Sequence, residues 1–571
     1  MLRRSVLACF VAAAGCVGRT AAVPEPAPPA AAQAGRYDIG YRVTLRDPAT
    51  HLFEIEMDVG GLAPTDTLRL QLPVWSPGRY ARMDFARNVQ GFTAESGGKA
   101  LAWEKETGSL WRVTTGGAAR VQLRYAVYAN NLSGTFSVFD STHANWNGAS
   151  LFMYVEGHKP DPVKLVVTPP AGWHVLNGAS LALDQLEFTF PTYDHLIDTP
   201  TEVSPSIDVD TFRVDGRLFR VAVHHNGDQR GQRERFVRDV RRIVEAEHRV
   251  LGPPPLESYT FLFNLGFPGG DGMEHLNSTQ VIDDRRWSPD DTVLAGIETA
   301  SHEYFHTWNV KRIRPAALGP FDYTREQYQP SLWVAEGWTQ YYGEMTLHRA
   351  GIVDRAALYR MLASTVRYTN ETPGRLEMSV RQASFHAPFW DGGAAPMRTN
   401  RERTFISYYT KGAALALLLD LKIRAATANA RSLDDVLRLL RTRTWDARST
   451  GYYLQGRGYT EADVERAASD VIGQDLHPWF ERYVGGTQDL PWAETLAAAG
   501  VTLVVREPAP AGVDGTSSNG TSANGTGSHG TSTNGSSVAP AVTPAPREYL
   551  LEDAPGATPA QVAVREAWLK G

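Results

Sequence analysis

The chain has 571 residues, a formal net charge of −6, 42% hydrophobic and 10% aromatic residues. That length predicts about three or four domains, and the apolar content suffices for buried cores. With no global basic surface, nucleic acid is not expected as a partner.

In chain order, an export signal comes first. Arg3 and Arg4 precede the apolar run Val6–Val17, and Pro- and Ala-rich sequence follows to about Ala34. The run is too short to span a membrane comfortably, and no later stretch qualifies, so no transmembrane span is expected. The only two cysteines, Cys9 and Cys16, lie in this segment, which leaves the mature chain without a disulfide. Ala13-Ala14-Gly15-Cys16 resembles a lipoprotein cleavage site, with Ala13 where Leu is usual. Lipid anchoring at Cys16 is therefore the alternative to simple secretion, and a periplasmic or extracellular location is expected either way.

Residues 36–210 read as an N-terminal all-β sandwich domain. Tyr41–Leu45, Phe53–Met57 and Val121–Tyr125 alternate apolar and polar residues with period two, between clusters of turn residues. Residues 211–505 read as a second domain. Leu218–Val223 predicts a strand, Gln232–Leu251 an amphipathic helix and Tyr259–Leu265 another strand. Helices are then predicted over Ser331–Arg349, Tyr408–Ala425, Ser432–Thr442 and Thr460–Ile472. Residues 506–546, rich in Gly, Ser, Thr, Asn and Pro, have too little apolar surface to order themselves and read as a flexible linker. Residues 547–571 form a C-terminal tail.

Between these elements stands His302-Glu303-Tyr304-Phe305-His306. Apolar Val293, Leu294 and Ile297 place it on a predicted helix. Histidines four apart share one helix face about 6 Å apart along the axis and can grip one Zn²⁺. Glu303, beside the metal, can take a proton from a water that the metal activates. The bland alternative is two histidines on a polar helix face.

A catalytic zinc needs a third ligand. Glu326 is one candidate, in a polar segment ending at Pro330. Glu336 is favoured, because it is a lone carboxylate among aromatics in Leu332–Tyr342, where an unpartnered charge would be costly. Lys311, Arg312 and Arg314 are expected to complement the C-terminal dipole of the motif helix.

The stretch His302–Pro315 together with Trp333–Tyr342 closely resembles the glycyl aminopeptidase family of zinc peptidases, gluzincins related to the alanyl aminopeptidases. The resemblance continues at Pro73-Val74-Trp75-Ser76-Pro77-Gly78-Arg79-Tyr80 and at Gly269–His275, and covers about Tyr37 to Trp492. It implies a thermolysin-like, mainly helical α+β peptidase domain, and one zinc on His302, His306 and Glu336 with Glu303 as general base. It further implies that Glu274, with Gly272 and Met273, forms the loop that holds a substrate's free α-ammonium. Tyr409, with Tyr408 as its rival, would donate to the oxyanion.

On this reading the chain is a secreted aminopeptidase removing Gly or Ala from the N-terminus of peptides. Its selecting pocket is sought at Tyr193–Asp198. The alternatives are a zinc endopeptidase and a non-catalytic peptide-binding protein with a structural zinc. One departure is plain: the family's C-terminal PDZ-like domain is missing or degenerate, since only Val501–Arg506 and Arg547–Leu551 resemble its outer strands.

Overall fold

The alternating segments of the N-terminal region build a seven-stranded sheet in the order Glu187–Phe190, Val163–Thr168, Asp38–Thr44, Leu52–Gly60, Arg120–Tyr128, Val89–Ser96 and Lys99–Ala100. This computed structural model describes residues 36–64, 67–391, 398–445, 456–507 and 547–571. The expected signal segment, Cys16 and nearly all of the expected linker lie outside the described residues.

Neighbouring strands pair antiparallel, except Asp38–Thr44 with Val163–Thr168. Period two puts Ile39, Tyr41 and Val43 on the buried face, together with Phe53, Ile55 and Met57 of the neighbouring strand. Two four-stranded sheets close over that face. Leu68, Leu70, Trp111 and Trp146 from them complete the same core.

The second region opens with a five-stranded sheet in the order Asp208–Val214, Arg217–His225, Ser258–Leu265, Ser278–Asp283 and Gly270–Glu274. The helix Arg233–Leu251 connects its first parallel pair and buries Phe236, Val240, Ile243 and Val244 at helical spacing. Gly270–Glu274 is the last strand of the sheet, antiparallel to its neighbour. Beside it runs the motif helix Ile297–Phe305. That helix starts several residues later than the apolar pattern suggests, at Gly296, whose φ of 86° ends the preceding turn.

The remaining helices form one core with the C-terminal segments. Strand Val501–Arg506 pairs antiparallel with Glu548–Asp553, and helix Pro559–Lys570 packs beneath. Trp568 is fully buried, and its Nε1 donates to the Tyr341 hydroxyl at 2.8 Å. Tyr341 in turn donates to Asp420 Oδ2 at 2.7 Å. The tail thereby braces the helix Thr339–Arg349, which continues directly from the segment carrying Glu336.

The two large regions are clamped together by residues 321–323. Phe321 and Tyr323 insert into the core of the β-rich region. Trp75 Nε1 donates to Asp322 O at 2.6 Å, and Val74 N to Tyr323 O at 2.9 Å. Burying two aromatics of this size is worth about 3–6 kcal/mol before entropy. The consequence for the site is positional, because this clamp fixes the following turn, Ser76–Tyr80.

Candidate active site

His302 and His306 project from the last turn of the motif helix with their Nε2 atoms 3.1 Å apart. Glu336 Oε2 lies 3.5 Å from His302 Nε2 and 3.3 Å from His306 Nε2. Ligands held 2.0–2.1 Å from a tetrahedral zinc are about 3.3 Å from one another. The three side chains therefore fit a zinc ion, and their two imidazoles and one carboxylate are a donor set of catalytic zinc sites. His306 Nδ1 bonds to Asn309 O at 2.6 Å, which sets the tautomer that leaves Nε2 free.

Glu336 sits in a widened helical turn, the π-helix Trp333–Trp338. Two glycines decide where it lies. A Cβ on Gly337 would overlap Gly412 Cα, and one on Gly412 would overlap the Trp333 carbonyl and reach within 2.9 Å of Gly337 Cα. Only bare backbones permit this crossing with the helix Tyr408–Ala426. Asn309 Nδ2 ties the same turn to the motif by donating to Val334 O at 2.9 Å and Ala335 O at 3.3 Å.

Burial alone would raise Glu336, but the neighbouring His306 and His302 outweigh it and hold the carboxyl well below the usual range. Burial likewise lowers His306, yet Glu336 and Glu274 overcome it and push His306 up to about 9. His302 is lowered, chiefly by burial. Glu303 is raised well above its ordinary value, by burial first and by Glu274 and Glu336 in addition. It is 6% exposed, and its Oε2 has no hydrogen-bond partner.

Glu274 joins this group. One carboxylate oxygen each from Glu274 and Glu303 and one nitrogen of His306 lie within 4.8 Å of one another. Gly272 has no room for a side chain, since a Cβ would overlap Glu303 Oε1 and come 2.7 Å from Thr299 Cγ2. Met273 is fully buried against Gly78 and Gly134, and its carbonyl accepts from Thr279 Oγ1. Its side chain therefore faces the domain contact, and any part it has in binding falls to its backbone.

Tyr409 is half-buried, lines the cleft with His302 and Glu303, and its ring centroid is 6.2 Å from that of His302. Tyr408 turns inward, 2% exposed, with its hydroxyl unpartnered. Glu326 is far from the histidine pair in its contacts, accepting from the Tyr328 hydroxyl at 3.2 Å and lying 3.7 Å from Arg82. Lys311 does more than face a helix end: its Nζ pairs with buried Asp198 at 3.0 Å, and Asp198 also bonds His275 Nδ1 at 3.1 Å. Arg312 bonds the Thr307 carbonyl, two residues past the helix, at 2.5 Å, and Arg314 bonds the Gly456 carbonyl at 2.9 Å, away from the helix end.

The turn Ser76–Tyr80 enters the site from the β-rich region. The Tyr80 hydroxyl donates to Glu336 Oε1. Arg79 pairs with Asp271 at 2.5 Å, and Gly134 N donates to the other oxygen of that carboxylate at 2.9 Å. Gly78, at φ 86°, could carry no Cβ, because Glu274 Oε2 would lie 2.6 Å from it. Tyr80, Arg79, Asp271 and Asn309 were not singled out from sequence; their one signal is membership of motifs flanking the recognised residues.

Among known families, the peptidase M61 N-terminal domain matches residues 40–205 and the M61 glycyl aminopeptidase matches residues 295–415. Among solved structures, an aminopeptidase N family protein from Idiomarina loihiensis is 28% identical, covering 82% of this chain and 80% of its own with a TM-score of 0.75. An M1 zinc metallopeptidase from Deinococcus radiodurans is 15% identical, covering 80% of this chain and 96% of its own, with a TM-score of 0.47. Native yeast LTA4 hydrolase is 13% identical, with 80% and 69% covered and a TM-score of 0.44. No curated protein matches the sequence. With both halves of the family's architecture matched in order over half of its length, this chain belongs to the M61 glycyl aminopeptidase family and is a zinc metallopeptidase.

Proposed function

We propose that the protein removes small N-terminal residues, Gly and Ala, from peptides, using one zinc ion held by His302, His306 and Glu336. Zinc in such a site acts as a Lewis acid, activating water and polarising the scissile carbonyl. Glu303 takes the proton from the attacking water on its carboxylate and delivers it to the nitrogen of the leaving amine. Its carboxylate is buried beside the two histidines with Oε2 unpartnered, free to take up that proton. Tyr409 donates a hydrogen bond from its hydroxyl to the developing oxyanion.

The observation that carries the exopeptidase reading is the placement of Glu274. Its buried carboxylate within 4.8 Å of Glu303 and His306 atoms supports an anchor for an α-ammonium one residue from the scissile bond. Beside Glu274 is a cavity of about 20 Å³, walled by Trp75, Gly78, Tyr80, Val310 and Phe321. That is room for one water, hence for a hydrogen or a methyl group and for little more. Lys311 lines the same cavity, and Asp198 reaches it through that lysine and through His275, next to Glu274.

Export, with Cys16 lipidation as the alternative, rests on the N-terminal sequence. Among the described residues no helix is long and apolar enough to cross a membrane.

A panel of glycyl, alanyl, leucyl and phenylalanyl anilides tests the size limit. Overfilling so small a cavity costs about 1–3 kcal/mol, so leucyl and phenylalanyl substrates should lag alanyl by about 10–200-fold in kcat/KM. Comparable rates for leucyl and alanyl substrates would overturn the small-residue preference. Glu303→Gln should lower kcat by about 10²–10⁴-fold with zinc retained.

A further inference from the structure

Beside the zinc ligands opens a groove of about 330 Å³, lined by His302, Glu303 and Tyr409 and not by Glu274. Its outer walls are Glu298, Thr299, Gln340, Glu344, Leu347 and Met361. Two are carboxylates, and no lysine or arginine is among its lining residues. Half-buried Met361, packed over the buried Leu347, adds apolar surface beside the acids.

Glu344 shows that the acids are more than a solvated face. It is 8% exposed; Gln340 Nε2 donates to its Oε1 at 2.7 Å, while its Oε2 has no hydrogen-bond partner. A buried, half-satisfied carboxylate is costly unless a cation reaches it. Burial and the nearby Glu298 push its pKa up to about 7, against the Gln340 hydrogen bond.

The direction of a bound substrate follows from the edge strand Gly270–Glu274. A peptide anchored by its amine at Glu274 and lying antiparallel to that strand passes bare Gly272, which abuts Glu303 and Thr299, and Thr299 lines the groove together with Glu298. The groove therefore receives the residues just beyond the scissile bond. We infer that this groove is a binding subsite for a long cationic side chain, Lys or Arg, immediately after the N-terminal residue that is removed. Its stem would lie along Leu347 and Met361, with its charge between Glu298 and Glu344.

This inference rests on the aminopeptidase reading above, and the test separates the two. The wild-type zinc enzyme is assayed on peptides Ala-X-Phe with X as Lys, norleucine or Glu, and on alanyl p-nitroanilide, which has no residue X. Lys is expected to exceed norleucine by about tenfold in kcat/KM and Glu by more, with the Lys advantage shrinking in added salt. Glu344→Gln and Glu298→Gln should each narrow the Lys-to-norleucine ratio, and their melting temperatures and zinc content report intact folding. If alanyl p-nitroanilide is cleaved while Lys, norleucine and Glu peptides turn over alike, the subsite is wrong and the aminopeptidase reading stands. If neither the anilide nor any peptide is cleaved, both fall.

Discussion

Replacing Gly412 by Ala puts one methyl group into the backbone crossing that locates both Glu336 and Tyr409. The added Cβ would overlap the Trp333 carbonyl oxygen and lie 2.9 Å from Gly337 Cα, on a helix with no flexible side chain able to yield. Relieving it requires the two helices to part by roughly half to one ångström, and overpacking of this kind costs about 1–3 kcal/mol. Alanine's better helix propensity returns about 1 kcal/mol, so the net change should still be destabilising. Function should suffer more than stability. Tyr409 and Glu336 sit on opposite sides of the displaced contact, and a misplacement near 1 Å can cost about 10²-fold. The assay is kcat and KM for an alanyl anilide with the melting temperature alongside. Gly40→Ala is the control, since a Cβ there meets nothing within 4 Å. The double variant Gly337→Ala/Gly412→Ala should cost less than the sum of the singles, because helices already parted accept the second methyl. A Gly412→Ala enzyme with wild-type kcat and an equal or higher melting temperature would refute this account of the crossing.

Three further outcomes are expected. Tyr80→Phe leaves buried Glu336 Oε1 without its donor; zinc affinity, measured by chelator competition, should drop about 10–100-fold with the fold intact, and an unchanged affinity would show that the contact is idle. Because His306 is pushed up to about 9 without metal, zinc must displace its proton below that pH. The logarithm of the zinc association constant should thus climb about one unit per pH unit and flatten above about 9, whereas a flat profile from pH 6 upwards would contradict that proton competition. Trp568→Ala empties a fully buried site and leaves the Tyr341 hydroxyl without its indole donor. Urea unfolding should show a loss of about 3–5 kcal/mol, and an unaltered midpoint would mean the C-terminal helix does not brace the core.

What the sequence made legible follows from the range of the forces involved. Period-two and helical patterns located Asp38–Thr44, Arg233–Leu251 and Tyr408–Ala426 to within a few residues, because burial on one face writes itself into local spacing. His302, Glu303 and His306 were legible for the same reason, being one turn of one helix. Glu336 was legible as a chemical anomaly, a lone acid among aromatics. Tyr80 was not: its hydroxyl meets Glu336 across 256 positions of sequence, and a tyrosine in a turn has many ordinary uses. Lys311 looked like a helix-end charge because its partner Asp198 lies 113 residues away. The packing of the tail past residue 547 was not legible, because a short strand and helix carry no sign of the core they join.

On the proposed function, the carboxylate of Glu274 turns a zinc hydrolase into an enzyme that reads the free N-terminus. The most direct measurement compares alanyl peptides with their N-acetylated forms on the zinc-loaded protein and on Glu274→Ala. Cleavage of the free-amine peptides alone is expected, abolished by chelation and restored by one equivalent of zinc. Glu274→Ala should lose about 10²-fold or more in kcat/KM on those peptides. Equal cleavage of acetylated and free peptides, untouched by Glu274→Ala, would contradict this role of Glu274.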